Sequence, residues 1–299
     1  MDRLHLMSVF IAVVETQGFS SAARRLRLSA PAVTRAIAEL EIRLGVKLLN
    51  RTTRHVRVTE AGQKYYQDAK RVVMLADEAD ESVVGENAEP KGHIVVTASV
   101  LFGRLYVMDS IISYLQHYSK MTVDAVFVDR VVNMLEEGVD VAVRIGELPD
   151  STYRAIRVGT VRRVLCASPE YLDQYGVPKK AEELTEHKII LARGLTPTNE
   201  IKFYKQGKDF SVRVTPYLSV SDNDSAAQAA VEGLGITRLL SYQVADQLKK
   251  GKLKIILSDY EAQAVPVHIV HREGRYASAR IKTFVDMVVE HLRKQPSLN

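Results

Sequence analysis

A single cysteine, Cys166, stands in the 299-residue chain, so no disulfide can close within it, and this usage fits a reducing cytosol. Cys166 lies in the apolar run 164–167, where a buried strand thiol is expected rather than a nucleophile. Apolar runs as long as a membrane span are missing, which argues against membrane contact. The opening stretch MDRLHLMSVFIAVVETQGF carries Glu15 and lacks a small-residue cleavage pattern, so a secretory leader is not expected and the chain reads as cytoplasmic. Also missing are GxGxxG, GxxxxGKS/T, HExxH, GxSxG and paired CxxC patterns, which leaves no cofactor, metal site or nucleophile elbow and points away from an enzyme. The eight histidines lack metal-ligand spacing; His268 and His271, three apart, face opposite sides of a strand. Asp222-Asn223-Asp224 opens like a calcium loop, but the later glycine and glutamate are absent.

What is present is ample core material and unevenly placed charge. Hydrophobic content of 46% and charged content of 26% suit a folded protein, and the length predicts two or three domains. The net charge is only +5, yet residues 17–58 hold nine Lys and Arg against two acids, a local balance of +7. A small basic domain on a near-neutral remainder is the electrostatic footprint of nucleic-acid binding. Leu6, Val9, Phe10, Val13 and Val14 predict a one-sided helix over 3–16, ended by Gln17-Gly18, with Phe19 plugging the core. Ser20 is read as the cap of a short helix over 21–26, with Arg27 and Leu28 as the turn. A helix over 29–44 follows, capped by Ser29, with Pro31 in its first turn and Gly45 at its end. Val33, Ile37, Leu40 and Leu44 form its core stripe. Ser29, Ala30, Pro31, Thr34 and Arg35 lie on its opposite, small and hydrogen-bonding start, which suits a DNA major groove. Strand-like runs at 47–50 and 55–58 flank the polar tip Arg51-Thr52-Thr53-Arg54, a wing whose arginines suit phosphates or the minor groove.

This winged helix-turn-helix reading becomes specific in the stretch FSSAARRLRLSAPAVTRAIAELEIRLGVKLLNRTTRHVRVTEAGQ. It resembles the DNA-binding domain of LysR-type transcriptional regulators, without a gap from about residue 4 to residue 63. Ala30 stands where members of that family often carry a longer polar residue. Thr59 is read as the cap of a long helix from Glu60 to about Glu86, in which Ala61, Tyr65, Ala69, Val72, Ala76, Ala79 and Val83 make a narrow stripe. The stripe favours pairing with a second copy, and the resemblance implies the same: a homodimer on a pseudo-palindromic duplex, or the homotetramer usual in the family. Residues 85–92, GENAEPKG, have the composition of a hinge.

Beyond it, strand-like runs at 93–98, 122–128, 140–145, 163–168, 189–191, 210–214, 217–220 and 266–270 alternate with helical patterns. Helices are expected around 105–115, 131–137, 226–232, 242–248 and 278–292, with a loop at 99–103. The alternation predicts an α/β fold with mostly parallel sheet. The resemblance implies a two-lobed, periplasmic-binding-protein-like (Rossmann-like) effector domain, crossed near 161–163 and again near 265–267. The expected division is a winged helix-turn-helix domain at 1–59, a linker helix and hinge at 60–90, lobe I at 91–162 and 266–299, and lobe II at 163–265. In open α/β folds ligands bind beyond the carboxyl ends of strands. That rule nominates Ser99, Val100, Leu101, Arg144, Ile145, Arg193, Asn223 and Thr237 for a small-molecule effector. Ser99, beside free backbone N–H groups, favours a small organic acid. A solute-binding module or an enzyme of similar two-lobed architecture is the alternative for residues 91–299. A purely architectural DNA-binding protein is disfavoured by the large two-lobed remainder.

Overall fold

The computed structural model describes residues 2–51, 56–84, 89–148, 153–193, 198–271 and 278–298, with backbone alone for residues 51, 74, 77, 78 and 80–84. They form two compact units, one built on the first 88 residues and one on the rest. No helix among the described residues is long and apolar enough to cross a membrane.

The N-terminal unit opens with helices α1 (Arg3–Glu15), α2 (Phe19–Leu26) and α3 (Ala30–Leu44). They close on a core of Leu6, Val9, Phe10, Val13, Ala22, Val33, Ile37 and Leu40, with Phe19 packed against it. Ser29 caps α3 by accepting the Ala32 N–H at 3.3 Å, Pro31 sits in the first turn, and Gly45 ends the helix at φ +68°. The turn between α2 and α3 is made by Arg27 in the left-handed region, as Leu28 N–H reaches back to the Ala23 carbonyl. Ser20 does not cap α2: the helix starts at Phe19 with Gly18 as its N-cap residue, so Ser20 lies inside the first turn. Strands β1 (Leu49–Arg51) and β2 (Val56–Val58) pair antiparallel as the wing.

A carboxylate inside the recognition helix fixes that wing. Glu41 of α3 is buried, and its Oε1 accepts the N–H groups of Leu48 and Leu49 at 3.0 and 3.2 Å. Its Oε2 takes the Lys47 ammonium at 2.6 Å. On the other side of the same peptide plane, the Leu48 carbonyl receives the Thr59 N–H at 2.9 Å. Thr59 in turn caps α4 (Glu60–Val84) by accepting the Gly62 N–H at 2.9 Å. Gly62 is a glycine because a Cβ there would stand 2.1 Å from the Leu48 oxygen. The predicted long helix therefore begins against the wing strand, and its 25 residues extend ~37 Å at 1.5 Å each. Its first half packs inward through Tyr65 and Ala69, whereas Val72 and Leu75 are 42% and 46% exposed.

In the second unit, one five-stranded sheet has the order β4-β3-β5-β14-β6: β3 (Gly92–Ala98), β4 (Met121–Phe127), β5 (Val141–Ile145), β6 (Arg154–Val161) and β14 (Val265–His271). The other has the order β11-β8-β12-β7-β13: β7 (Arg163–Ala167), β8 (Ile189–Ala192), β11 (Pro216–Val220), β12 (Ile236–Leu240) and β13 (Lys254–Ile256). Strands β9 (Glu200–Lys205) and β10 (Lys208–Arg213) make a separate hairpin. Helices α5 (Val100–Phe102), α6 (Met108–His117) and α10 (Ala279–Arg293) accompany the first sheet. Helices α7 (Pro169–Tyr175), α8 (Asn223–Val231) and α9 (Ala245–Lys249) accompany the second. The chain passes from β6 to β7 through Arg162 alone and returns between β13 and β14.

Each sheet is mostly parallel with one strand reversed: β14 runs against β5 and β6 in the first, and β7 against β12 and β13 in the second. Several expectations are corrected. The loop expected at 99–103 is helix from Val100, running through a π-type turn (Gly103–Val107) into α6. Gly103 permits this because a Cβ there would meet the Phe127 ring at 2.5 Å. No helix forms at 131–137: Asn133 Oδ1 accepts the Leu135 and Glu136 N–H groups in a side-chain turn, and Gly138 at φ +65° ends it. Gly92 belongs to β3 rather than to the hinge. The helix expected at 242–248 divides into a 3-10 turn, Ser241–Gln243, and α9.

Glu41→Gln should lower the stability of the N-terminal unit by about 1–3 kcal/mol, since a buried charge-assisted set of hydrogen bonds is lost. Burial pushes the Glu41 carboxyl up, but Lys47 and the Leu49 and Leu48 amides outweigh it and hold it below the usual 4.5. The contribution is therefore present above that ordinary value and lost as pH falls through the lowered one. Thermal melts from about pH 6 to pH 3 should show a steeper acid loss in the wild type than in Glu41→Gln.

Candidate nucleic-acid interface and effector cleft

The first two turns of α3 leave the surface the sequence nominated open. Ser29, Ala30, Pro31 and Arg35 are exposed and Thr34 is half-buried, while Val33, Ala36, Ile37 and Leu40 lie in the core behind them. Arg24, Arg27, Arg43, Lys47 and Arg57 are exposed around this helix. Arg25 is drawn instead to Glu15 at 2.7 Å, where Tyr66 also donates to the same carboxylate at 3.0 Å, tying α1, α2 and α4 together. The backbone of Arg51 closes β1 opposite Val56, and Arg54 lies outside the described residues. A helix end of this shape, with a hairpin beside it and cations around it, can enter a major groove and meet flanking phosphates.

In the second unit all but one of the nominated effector residues lie at carboxyl ends of parallel strands, or in the helix that follows one. Ser99, Val100 and Leu101 follow β3, Arg144 and Ile145 end β5, Arg193 follows β8, and Asn223 follows β11. Thr237 is the correction: it is fully buried and its hydroxyl donates to the Ile190 carbonyl at 3.1 Å, so it offers nothing to a ligand here. Arg144 turns its guanidinium to the Val132 carbonyl at 2.7 Å, bracing the 131–138 turn. Arg193 Nε donates to Ser219 at 3.3 Å. The structure brings Ser99 together with Tyr242, which the sequence reading missed because it placed that residue in a helix. Their hydroxyls lie 3.5 Å apart across the lobes. Tyr242 is 3% exposed, set edge-on to Phe102 at 5.2 Å, and burial pushes its phenol up. Arg104 and Asp224 face each other at 3.8 Å from the two lobes.

A second correction concerns the N–H groups beside Ser99. The Val100 N–H is not free, because Asp129, after β4, accepts it at 3.0 Å. An internal carboxylate thus occupies the donor that an effector acid was expected to use. Asp222 caps α8 by accepting the Ser225 N–H at 2.7 Å. Among the described residues no group of three or more His, Cys, Asp or Glu is placed to hold a metal ion.

Fold and site together define a winged helix-turn-helix protein that carries a two-lobed α/β ligand domain. The model of the bacterial regulatory helix-turn-helix protein, lysR family, matches residues 4–63, and that of the LysR substrate binding domain matches residues 87–293. The chain belongs to the LysR family of transcriptional regulators. It is 30% identical over 293 residues to the HTH-type transcriptional activator AaeR of Escherichia coli (strain K12), covering 97% of this chain and 94% of that one. Over 291 residues it is 30% identical to the HTH-type transcriptional regulator CrgA of Neisseria meningitidis serogroup C (strain 8013), with 96% of each covered. The solved structure of CrgA from Neisseria meningitidis matches with a TM-score of 0.60 at 29% identity, over 96% of this chain and 98% of that one. These relatives are named as regulators, not enzymes, and the lone thiol agrees: Cys166 is fully buried in β7 and burial pushes it up to about 12. Native protein should accordingly resist iodoacetamide near neutral pH and react only after denaturation, as mass spectrometry of the modified chain would read.

Proposed function

We propose that the chain is a cytoplasmic regulator that reads a pseudo-palindromic duplex as a homodimer or homotetramer and responds to a small organic acid held between its two lobes. The Ser99–Tyr242 approach across the lobes carries the effector part of this reading: a ligand seated there touches both lobes at once. The working division is a DNA-binding head at 1–59, a linker helix and hinge at 60–90, lobe I at 91–162 and 266–299, and lobe II at 163–265. Ser29, Ala30, Pro31, Thr34 and Arg35 approach base edges and the adjoining backbone. Arg51 and Arg54 meet phosphates or the minor groove. The exposed Val72 and Leu75 on α4 support pairing of two linker helices, since apolar side chains half out of water on a long helix gain by packing on a copy of themselves.

The acid would replace Asp129 at the Val100 N–H, close to the Ser99 and Tyr242 hydroxyls. Ligand and Asp129 then compete as like charges for one donor. Benzoate and its uncharged isostere benzamide separate charge from shape in isothermal titration. Benzoate should bind and benzamide should not, and Asp129→Asn should tighten benzoate about three- to tenfold by removing the competing charge. Binding of the amide in preference to the acid would sink the organic-acid reading. On the DNA side, gel shifts on duplex flanking the protein's own gene should show Arg51→Ala weakening affinity broadly and reducing the log–log salt slope by about one. Unchanged affinity and slope would remove the wing from the interface.

A further inference from the structure

The second lobe carries a cationic pit that neither the DNA-binding surface nor the cleft at the strand ends uses. In its sheet, β7 and β12 run antiparallel, with Arg163 opposite Leu240 and Arg238 opposite Leu165. Alternation puts Arg163, Leu165 and Arg238 on one face of the sheet. That face packs against Phe203 and Tyr260, while Val164, Cys166 and Leu239 on the other face pack with Ala226 and Ala230 of α8. The two arginines are diagonal neighbours in a pit also lined by Lys202, Phe203, Tyr260 and Glu261. Its inner free volume is about 10 Å³, about the room of one water, so a larger group would sit at its mouth.

Charge inside this pit is unbalanced. The one carboxylate lining it, Glu261, is held by Arg162 at 3.1 Å. The Lys205 ammonium stands over the Tyr260 ring, 3.7 Å from its centroid, and adds to the same sign. Neither the Arg163 nor the Arg238 guanidinium has a hydrogen bond or ion pair to a described residue. Burial, then the charge of Arg163, brings the Arg238 guanidinium down to about 10, and burial lowers Arg163 as well. Two partly desolvated like charges without a counter-charge are costly, and an anion between them relieves both costs.

We propose that Arg163 and Arg238, with Lys202 at the rim, form an oxyanion site that receives the carboxylate or phosphate head of a small metabolite. The head would sit at the mouth of the pit against the two guanidinium groups, while the remainder stays in solvent. The site is separate from the Ser99–Tyr242 cleft and does not depend on what binds there. It adjoins the segment where the chain crosses between lobes. Arg162, next to Arg163, exchanges backbone and hydroxyl hydrogen bonds with Ser241 and pairs through its guanidinium with Glu261. An anion on Arg163 and Arg238 would therefore brace the crossing and act as a second input to the lobes.

The test is thermal stability of the full-length chain, titrated with inorganic phosphate and with acetate at fixed ionic strength balanced by sodium chloride. The expected result is saturable stabilisation by one of the two above chloride. Arg238→Gln and Arg163→Gln should each weaken it at least about tenfold, whereas Arg35→Ala in the DNA-binding head leaves it unchanged. Arg163→Gln, at the more exposed position, carries the test if Arg238→Gln does not fold. Neither anion exceeding chloride would overturn the proposal, as would glutamine variants that bind like the wild type. Loss of the effect in Arg35→Ala would do so too, because the phosphate would then be reporting the DNA-binding surface.

Discussion

One peptide unit, the Leu48 carbonyl with the Leu49 N–H, holds the N-terminal unit in register. Its N–H donates to Glu41 of α3, as the Leu48 N–H does, and its carbonyl receives the Thr59 N–H at the start of the long helix. Gly62 lets that helix come down on the same carbonyl. Three elements that must be mutually fixed for DNA recognition, the recognition helix, the wing and the linker helix, are thereby tied through one buried group. A buried carboxylate is costly unless fully hydrogen-bonded. Here two amides and an ammonium satisfy it, so the arrangement is specified rather than merely tolerated. Its failure would release the wing from α3.

The ligand domain obeys a different constraint. Parallel strands leave their carboxyl ends and the following helix starts unpaired at one edge, and both sheets do this: β3, β4 and β5 in one, β8, β11 and β12 in the other. The crossings are carried instead by the antiparallel pairs β14–β6 and β7–β13 at the other side of each sheet. Asp129 fits this scheme, since it comes from the end of β4 and settles on the helix start after β3. The Val100 donor is thus satisfied from within the chain.

What the sequence made legible was whatever is local. The caps at Ser29 and Thr59, the stripe Val33–Ile37–Leu40, the stop at Gly45 and the wing strands follow from residues within a turn or two of each other, and they stand where expected. Glu41 was counted only as one of two acids in a basic segment, because its role arises from amides seven and eight residues away in another element. Tyr242 was hidden for the same reason: its partner Ser99 lies 143 residues earlier. Strands β6, β9, β12 and β13 escaped notice because their alternation is interrupted by charges such as Arg157, Lys202 and Arg238, whose positions make sense only once the neighbouring strands are known. Thr237 failed as a ligand residue because its hydroxyl is already committed to the adjacent strand.

Response to a ligand requires two states with different affinities, and the lobes have the parts for it. Their contacts at the cleft include a 3.5 Å approach of two hydroxyls, the packing of buried Tyr242 on Phe102 and Tyr106, and an exposed Arg104–Asp224 pair at 3.8 Å. Exposed ion pairs of that kind contribute little, so they bias the lobes without locking them. The crossing is held differently, by the Ser241 N–H donating to the Arg162 carbonyl, by the Arg162 N–H donating to the Ser241 hydroxyl, and by Glu261 paired with Arg162. On the proposed reading, a small ligand in the mouth would shift the lobe angle about this crossing, and an anion at the crossing would limit how far it moves.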